Sequence, residues 1–579
     1  MRAIGRWLAR IVTGLAFACL VLVLALVGLA WWGAARFADR EVAVPDSVVL
    51  VADWRGGVPE KAPGAAPLAA FGLDGEPPLP DVLRALERAA EDPRVRGLVV
   101  RTDGAGFGLA QAWELHRAVR ALDEAGKFTA LYADTLGELQ GGMVGTYLAA
   151  AFEHVQLQPL GSVGFTGLAR EQPYVERLLS ELDIEVQVVK REEFKSALET
   201  FTRSGPSPAS QTMIEAILDG LFDELIEGVA SGRGLDEGAV RAAIDAAPLL
   251  ADDARARGLI DAVAHLPALE DTTAEATGTE DRLPLARYLR SDAFATVADA
   301  PVVGFVHAVG PIRRGESEDP FGAVEIAGDS VAAGIDAARE AEVDALLLRV
   351  SSPGGSAVAS ETVGAAVRRA KAAGIPVVVS MGDVAASGGY WIAMDADRIL
   401  AAPTTLTGSI GVILGKPAFG AFLDDLGIDI DRSTRGANAG LGSPFEPWDE
   451  RELAKVNTLV DDLYKAFLEG VARGRGLEVA AVRGVAGGRV WLGRQAQANG
   501  LVDELGGFND AVAAVRAALE LEPGAPLTVE EYPRPKPPFP AAVAALERFT
   551  RATGALDALW SELAAPAELR FEARPLPVR

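Results

Sequence analysis

The sequence predicts a duplicated α/β protein that is attached to a membrane by one N-terminal helix. Three observations support this prediction. A run of 25 residues near the N-terminus contains no charged side chain. Short apolar runs alternate with helical stretches through the rest of the chain, which is typical of parallel sheets covered by helices. Five sequence blocks of the first half recur in the same order in the second half.

The length and composition are those of a globular protein with more than one domain. The chain has 579 residues, of which 49% are hydrophobic and 23% are charged, so it can bury large cores. Its formal net charge of −26 argues against nucleic acid or an anionic lipid surface as the main partner. A single cysteine, Cys19, and four scattered histidines provide no disulfide and no recognisable zinc-ligand pattern. We therefore expect no metal and no cofactor.

The uncharged run at residues 11–35 is long enough to cross a bilayer as a helix, which needs about 20 apolar residues. Arginines at positions 2, 6 and 10 precede it, whereas the charges that follow it cancel. The positive-inside rule then places the N-terminus in the cytoplasm and the rest of the chain across the membrane. A cleaved signal peptide is the alternative, but its apolar region spans only about 7–15 residues. We expect an uncleaved anchor.

The repeat lies in five pairs of blocks that are 242 to 248 residues apart. The matched pairs are 95–106 with 343–355, 145–157 with 388–400, 161–164 with 408–411, 227–235 with 469–477, and 256–261 with 498–503. We interpret them as a duplicated domain. The expected organisation is a cytoplasmic stub, anchor and juxtamembrane segment at 1–45, a first repeat at 46–275, a linker at 276–299, a second repeat at 300–522, and a Pro-rich segment with a C-terminal helix at 523–579.

Alternating elements can be predicted in most detail for the second repeat. Apolar runs predict strands at 301–307, 345–350, 376–380 and 398–401, and helical periodicity predicts helices at 361–373 and 388–396. Two glycine-containing loops follow predicted strands in this repeat. One is the SPGG loop at 352–355, where paired glycines could turn N–H groups toward an oxyanion, although a plain turn explains it equally well.

The second loop carries Ser387, between a predicted strand and a helix and directly before Gly388. A helix cap is the simpler interpretation of such a serine. The repeat provides a comparison, because Val144 stands at the aligned position of the first repeat. A structural cap would have been useful in both repeats, so we predict that Ser387 is a nucleophile.

A serine nucleophile needs a base, and no histidine lies near these loops in sequence. The chain has only nine lysines, and Lys195 of the first repeat aligns with about Ala439 of the second. One repeat therefore has the lysine and the other the serine, which indicates one site for the pair. Burial could keep a lysine neutral, whereas an arginine stays charged. A solvated helix lysine is the alternative. Ser409 could orient the amine or be a turn residue, as Ser162 would be in the first repeat.

The segments SSPGGS, MGDVAASGGYWIA, TLTGSIGV and EEFKSALETF together resemble the signal peptide peptidase A, or protease IV, family of serine peptidases in its long tandem-domain bacterial form. The resemblance extends from the anchor to about residue 520. It implies a Clp-protease/crotonase-like fold, made of ββα-type units, in each half. It also implies a Ser-Lys dyad with Ser387 as nucleophile and Lys195 as general base, oxyanion N–H groups from Gly355 and Gly388, and a hydrogen bond from Ser409 to the lysine.

The resemblance further implies an endopeptidase of the bacterial inner membrane, with its catalytic part in the periplasm, that assembles as a homotetramer and degrades apolar remnants of signal peptides. The first repeat departs from the pattern, since residues 102–106 read TDGAG in place of the SPGG loop. We therefore expect no second active site there. Two alternatives stay open at this point, a crotonase-type acyl-CoA enzyme and a non-catalytic membrane scaffold.

Overall fold

The computed structural model describes residues 42–61, 77–295, 297–317 and 324–534. The predicted anchor at 11–35 and the predicted C-terminal helix lie outside the described residues. Within these ranges, no helix combines the length and the apolar character that crossing a membrane requires.

The first repeat contains nine strands and ten α-helices in its described part. The strands are β1 Val48–Asp53, β2 Val95–Arg101, β3 Phe128–Ala133, β4 His154–Leu157, β5 Ser162–Val163, β6 Glu185–Lys190, β7 Leu249–Leu250, β8 Ala262–Val263 and β9 Arg282–Pro284. The helices are α1 Leu79–Glu91, α2 Leu109–Glu124, α3 Met143–Ala149, α4 Glu176–Glu181, α5 Glu199–Thr202, α6 Pro208–Arg233, α7 Glu237–Ala246, α8 Ala251–Ala256, α9 Leu266–Thr277 and α10 Leu285–Tyr288. A 3-10 turn, Asp292–Phe294, follows.

The second repeat contains eleven strands and eight helices in its described part. The strands are β10 Val302–Val309, β11 Ile312–Arg313, β12 Ile326–Ala327, β13 Ala345–Ser352, β14 Val377–Ala386, β15 Arg398–Ala401, β16 Leu406–Gly408, β17 Ile413–Ala418, β18 Val490–Leu492, β19 Glu504–Leu505 and β20 Thr528–Tyr532. The helices are α11 Gly328–Glu340, α12 Ala357–Ala372, α13 Gly388–Ala393, α14 Gly420–Asp425, α15 Glu450–Arg475, α16 Val479–Val485, α17 Gly493–Ala498 and α18 Phe508–Ala518.

Each repeat is built on its own parallel sheet, and the two sheets contain the same arrangement of strands. The strand order in the first sheet is β8-β4-β3-β2-β1-β9, and the second sheet contains the equivalent path β19-β15-β14-β13-β10-β20. Each repeat also has one helix of 26 residues, α6 and α15, which ends at a glycine in the left-handed conformation, Gly234 and Gly476. The predicted α/β class and its duplication are confirmed.

Both repeats extend beyond the segments predicted for them. Residues 276–299, expected to be a linker, contain β9, which pairs with β1. Strand β20, in the segment expected to be a Pro-rich tail, pairs with β10 in the equivalent place. These edge strands are short and end at or beside prolines, Pro284 and Pro533, so their sequence pattern is weak.

The second sheet separates two hydrophobic clusters. Successive residues of a strand point to opposite faces, and in β13 Ala345 and Leu347 belong to one cluster whereas Leu346 and Leu348 belong to the other. The first of these clusters also contains the core of the first repeat. Helix α2 lies in this shared layer and contacts both β3 and β14. The first repeat and one face of the second sheet therefore share a continuous core, whereas the opposite face of that sheet packs in a cluster of its own.

A separate two-stranded ribbon also joins the repeats. Strand β6 of the first repeat pairs in antiparallel fashion with β17 of the second, from Lys190 opposite Ile413 to Glu185 opposite Ala418. The Arg191 N–H continues the contact by donating to the Val412 carbonyl at 3.1 Å. This ribbon carries the segment after β6, which contains Lys195, to the turn before β17, which contains Ser409.

Candidate active site

Ser387 lies at a sharp turn between β14 and α13. Its backbone angles are φ 57° and ψ −117°, a conformation that L residues rarely adopt and that typically costs about 1–3 kcal/mol. The Ser387 N–H donates to the Gly408 carbonyl at 2.9 Å, which helps to hold the turn. The hydroxyl makes no capping hydrogen bond to the helix, so the simpler interpretation of Ser387 as a cap is wrong.

The structure brings Lys195 of the first repeat against Ser387 of the second. The Lys195 Nζ lies 3.0 Å from the Ser387 Oγ, 2.9 Å from the Ser409 Oγ and 2.9 Å from the Ser409 carbonyl oxygen. Lys195 lies in the loop between β6 and α5 and is only 7% exposed. The alternative of a solvated helix lysine is therefore wrong.

The environment of Lys195 favours its neutral form. Burial lowers the pKa of its amine from the ordinary value of 10.5 to about 8. Two glycines allow the chain to pack closely around Lys195, because a side chain at either position would crowd it. A methyl group on Gly411 would lie 3.3 Å from the Lys195 Cδ, and one on Gly488 would lie 2.6 Å from the Lys195 Cβ. The buried amine thus loses its proton at a lower pH than an ordinary lysine, which is the direction that a general base requires.

Ser409 holds the lysine from a turn with an unusual backbone. Its φ is 50°, and its N–H donates to the Arg489 carbonyl at 2.8 Å. Ser162 of the first repeat makes different contacts, since its hydroxyl donates to the carbonyls of Gly137 at 3.2 Å and Glu138 at 3.3 Å. The same sequence motif therefore holds a lysine in one repeat and only a loop in the other.

The SPGG loop packs directly on the Ser387 turn. A methyl group on Gly354 would lie 2.7 Å from the Gly388 nitrogen and 2.8 Å from the Ser387 Cβ. Gly355 bridges to Ile312, and a methyl group there would lie 2.1 Å from the Ile312 carbonyl oxygen. Gly388 is the first residue of α13, so its N–H has no acceptor within the helix. The SPGG loop is therefore in close contact with both the Ser387 turn and the first residue of α13.

The first repeat keeps this scaffold without the hydroxyl. The Thr102 Oγ1 accepts from the Gly104 N–H at 3.0 Å, as the Ser352 Oγ accepts from the Gly354 N–H at 3.1 Å. Val144, aligned with Ser387, lies inside helix α3, which begins at Met143. The strained turn is therefore absent from the first repeat, in agreement with the expectation that it carries no second site.

Sequence reasoning missed two features around the site. The segment 486–491 touches both the Lys195 loop and the Ser409 turn, and its doubled glycine at 487–488 is the signal that could have revealed it. The other is a buried charge cluster in which Arg349 of β13 donates to Glu60 at 2.9 Å and to Glu114 at 2.7 Å. Arg349 is completely buried, and both carboxylates come from the first repeat, so the cluster links the two repeats.

No histidine contacts Ser387 in the part of the chain that the structure describes. His116 and His307 are both buried, and burial lowers the pKa of each to about 4. A ring nitrogen of His116 lies 3.0 Å from the Tyr147 carbonyl oxygen. Among the described residues, no group of three or more potential ligands could hold a metal ion. Lysine is thus the base that the described geometry offers to the serine.

Comparison with known proteins identifies the family. The sequence pattern of peptidase family S49 matches residues 139–279 and 369–522, one segment in each repeat. Protease 4 of Haemophilus influenzae is 32% identical over 453 residues, which cover 75% of this chain and 71% of that protein. The chain belongs to peptidase family S49. Protease 4 of Salmonella typhi is 31% identical over 76% of this chain and 72% of its own length.

The S49 chain is also similar to a eukaryotic protein, the chloroplastic serine protease SPPA of Arabidopsis thaliana, with 26% identity over 80% of this chain and 69% of that one. These relatives confirm the resemblance to signal peptide peptidase A. The chain is a serine peptidase of family S49, which sets aside the acyl-CoA enzyme and the scaffold as alternatives.

Proposed function

We propose that this S49 peptidase is a membrane-anchored serine endopeptidase that degrades cleaved signal peptides with a Ser387–Lys195 dyad. The observation that carries the proposal is the 3.0 Å distance between the Lys195 Nζ and the Ser387 Oγ, in a place where the lysine is 7% exposed. A nucleophile and a base within hydrogen-bond reach, with the base held by a third group, is the arrangement that covalent catalysis by serine requires.

The hydrogen bonds of the neutral amine fit a general base. A neutral lysine has two N–H groups and one lone pair. The two N–H groups donate to the carbonyl and the hydroxyl oxygens of Ser409, both at 2.9 Å. The lone pair is then directed at the Ser387 hydroxyl proton. Ser409 therefore orients the base and leaves it one task, to accept that proton.

Acylation follows from this arrangement. The Ser387 Oγ forms a bond to the scissile carbonyl carbon, and its proton moves to the Lys195 Nζ. The N–H groups of Gly355 and Gly388 donate to the resulting oxyanion, and the loss of one such donor typically costs about 2.7–4 kcal/mol. The C–N bond then breaks as the leaving amine takes the proton from Lys195. Water, activated by the same amine, hydrolyses the acyl-enzyme and restores Ser387.

The substrate and location rest on sequence and relatives. The uncharged run at 11–35, with three arginines before it and charges that cancel after it, supports a single-pass anchor in the bacterial inner membrane with a cytoplasmic N-terminus and a periplasmic catalytic part. Apolar peptide remnants of secretion are substrates that an enzyme in this place would meet. The resemblance to signal peptide peptidase A supports both this substrate class and a homotetramer.

The test uses the full-length chain in detergent and a fluorogenic apolar peptide. Wild type, Ser387→Ala, Lys195→Ala and Lys195→Arg are compared, with Ser162→Ala as the matched serine control in the first repeat. We expect turnover only in wild type and Ser162→Ala, because an arginine stays charged and cannot accept the proton. Full turnover by Lys195→Ala would refute the dyad. Full turnover by Ser387→Ala would refute the whole site.

A further inference from the structure

The segment 486–491, here called the β18 loop, is the third component of the site. The Phe194 N–H donates to the Gly487 carbonyl at 3.1 Å, and the Ser409 N–H donates to the Arg489 carbonyl at 2.8 Å. A methyl group on Gly488 would lie 2.6 Å from the nitrogen of Lys195. The β18 loop is therefore in backbone contact with both the residues around the lysine and the turn that orients it.

Arg489 of this loop is held by aromatic rings. Its guanidinium carbon lies 4.1 Å from the centroid of the Trp491 ring and 5.1 Å from that of the Phe194 ring. The Arg489 Nε is buried and has no hydrogen-bond partner among the described residues. Stacking of the planar cation on the two rings thus holds the side chain, and one of these rings belongs to the residue directly before Lys195.

The first repeat has no counterpart of Arg489, of Trp491 or of the doubled glycine. The helices before and after the β18 loop align with those of the first repeat at a spacing of 242 residues, as α17 at 493–498 aligns with α8 at 251–256. At this spacing Ala247 corresponds to Arg489, Leu249 to Trp491, and Asp245-Ala246 to the doubled glycine. The stacked arginine occurs only in the repeat whose loops surround the lysine.

We propose that Arg489 is a positioning residue that clamps the Lys195 loop onto the Ser409 turn. Its side chain holds the loop through Phe194, and its main chain holds the turn through the Ser409 N–H. The clamp fixes how deeply the amine is buried and how close it lies to Ser387. This inference rests on the proposed dyad, because it assigns to Arg489 the role of keeping Lys195 away from water and close to Ser387.

The carboxylates near Lys195 form no ion pair with its amine. Glu192 and Glu193 lie on the same loop, and Glu192 pairs with Arg483 of α16 at 3.2 Å on the exposed surface. No carboxylate of the described residues pairs with the Lys195 amine, whose contacts are hydroxyl and carbonyl oxygens. Burial is what lowers its pKa, so water entering a loosened loop should raise that pKa.

The test compares full-length wild type with Arg489→Met, Arg489→Lys and Phe194→Leu. The control is Arg241→Met, which removes a guanidinium that lies 5.5 Å from the Phe222 ring in the first repeat. Two properties are measured from pH 6 to pH 10. One is kcat/KM on an apolar peptide, and the other is the rate at which acetic anhydride labels Lys195, followed by peptide mass mapping. The labelling reports the pKa of the amine without any need for turnover.

We expect both variants of Arg489 and Phe194→Leu to raise the pKa of Lys195 by about one unit in both measurements. At pH 7 this shift leaves about tenfold less neutral amine, so kcat/KM should fall about tenfold, mainly because kcat falls. Arg241→Met should match wild type. Arg489→Lys keeps the charge and loses the planar stack, so a wild-type profile in this variant would overturn the stacking clamp. A wild-type labelling profile in Arg489→Met would overturn the proposal entirely. Failure of the dyad would appear separately, as turnover by Lys195→Ala.

Discussion

Replacing Lys195 by methionine should change the pH dependence of stability by an amount that follows from its burial. Between pH 8 and pH 10.5 the unfolded chain holds the lysine proton and the folded chain does not, because the pKa falls from 10.5 to about 8 on folding. Wild type therefore gains stability as the pH rises through this window. At 1.36 kcal/mol for each pKa unit, the gain from pH 6 to pH 10 is about 2–3 kcal/mol.

Methionine carries no proton in either state, so Lys195→Met lacks this gain. Packing changes that do not depend on pH cancel when the difference between variant and wild type is followed across pH. We expect the free energy of unfolding of Lys195→Met, relative to wild type, to decrease by about 2–3 kcal/mol from pH 6 to pH 10. Urea unfolding midpoints measured by tryptophan fluorescence provide this difference.

Lys465 provides the control, because its side chain is 74% exposed and its ion pair is with Glu469, one turn further along the same helix. Lys465→Met should differ from wild type by less than about 0.5 kcal/mol at every pH. The reasoning is refuted if the difference for Lys195→Met is the same at pH 6 and pH 10. That result would mean that the amine is hydrated in the folded protein and is no better a base than an ordinary lysine.

Three other predictions follow from the geometry. Gly354→Ala would place a methyl group 2.8 Å from the Ser387 Cβ, at a residue whose φ of 99° an L side chain rarely adopts. Peptidase activity should fall at least 100-fold while the circular dichroism spectrum stays unchanged, and normal activity would contradict the close approach. Arg349→Met leaves two buried carboxylates without their cation, so the free energy of unfolding measured in urea should fall by about 3–5 kcal/mol. The control Arg398→Met removes an exposed ion pair and should lower it by less than about 1 kcal/mol, and equal losses would contradict the buried cluster. A mixture of Ser387→Ala and Lys195→Ala chains should stay inactive, because serine and lysine meet within one chain; recovered activity would show exchange between chains.

The core of the second repeat could be predicted well from sequence. Apolar runs bounded by turn residues located β15 at 398–401 and the start of α13 at Gly388 as the structure has them. Strand β14 runs to Ala386, beyond the predicted 380, because small residues lead directly into the Ser387 turn. Edge strands β9 and β20 were not predicted, because a strand that pairs along one side only can form without a clear alternation of apolar residues.

The candidate site could be predicted only in part. The division of lysine and serine between the repeats indicated that Lys195 and Ser387 share a site, and the structure brings them together. The pairing of β6 with β17, which makes the contact possible, joins segments more than 200 residues apart and leaves no local signal. The strained backbone of Ser387 is likewise a product of tertiary packing. Arg489 was missed because a stacked arginine has the same sequence pattern as a solvated one.

The most direct test of the shared site is the rate at which a serine-directed acylating inhibitor adds to Ser387, followed by intact mass on the full-length chain from pH 6 to pH 10. A neutral Lys195 must accept the serine proton, so the wild-type rate should rise about tenfold per pH unit and level off above about pH 8. Lys195→Ala should gain no inhibitor mass at any pH. Acylation of Lys195→Ala at the wild-type rate, or a wild-type rate that does not change with pH, would contradict a serine activated by a buried lysine from the other repeat.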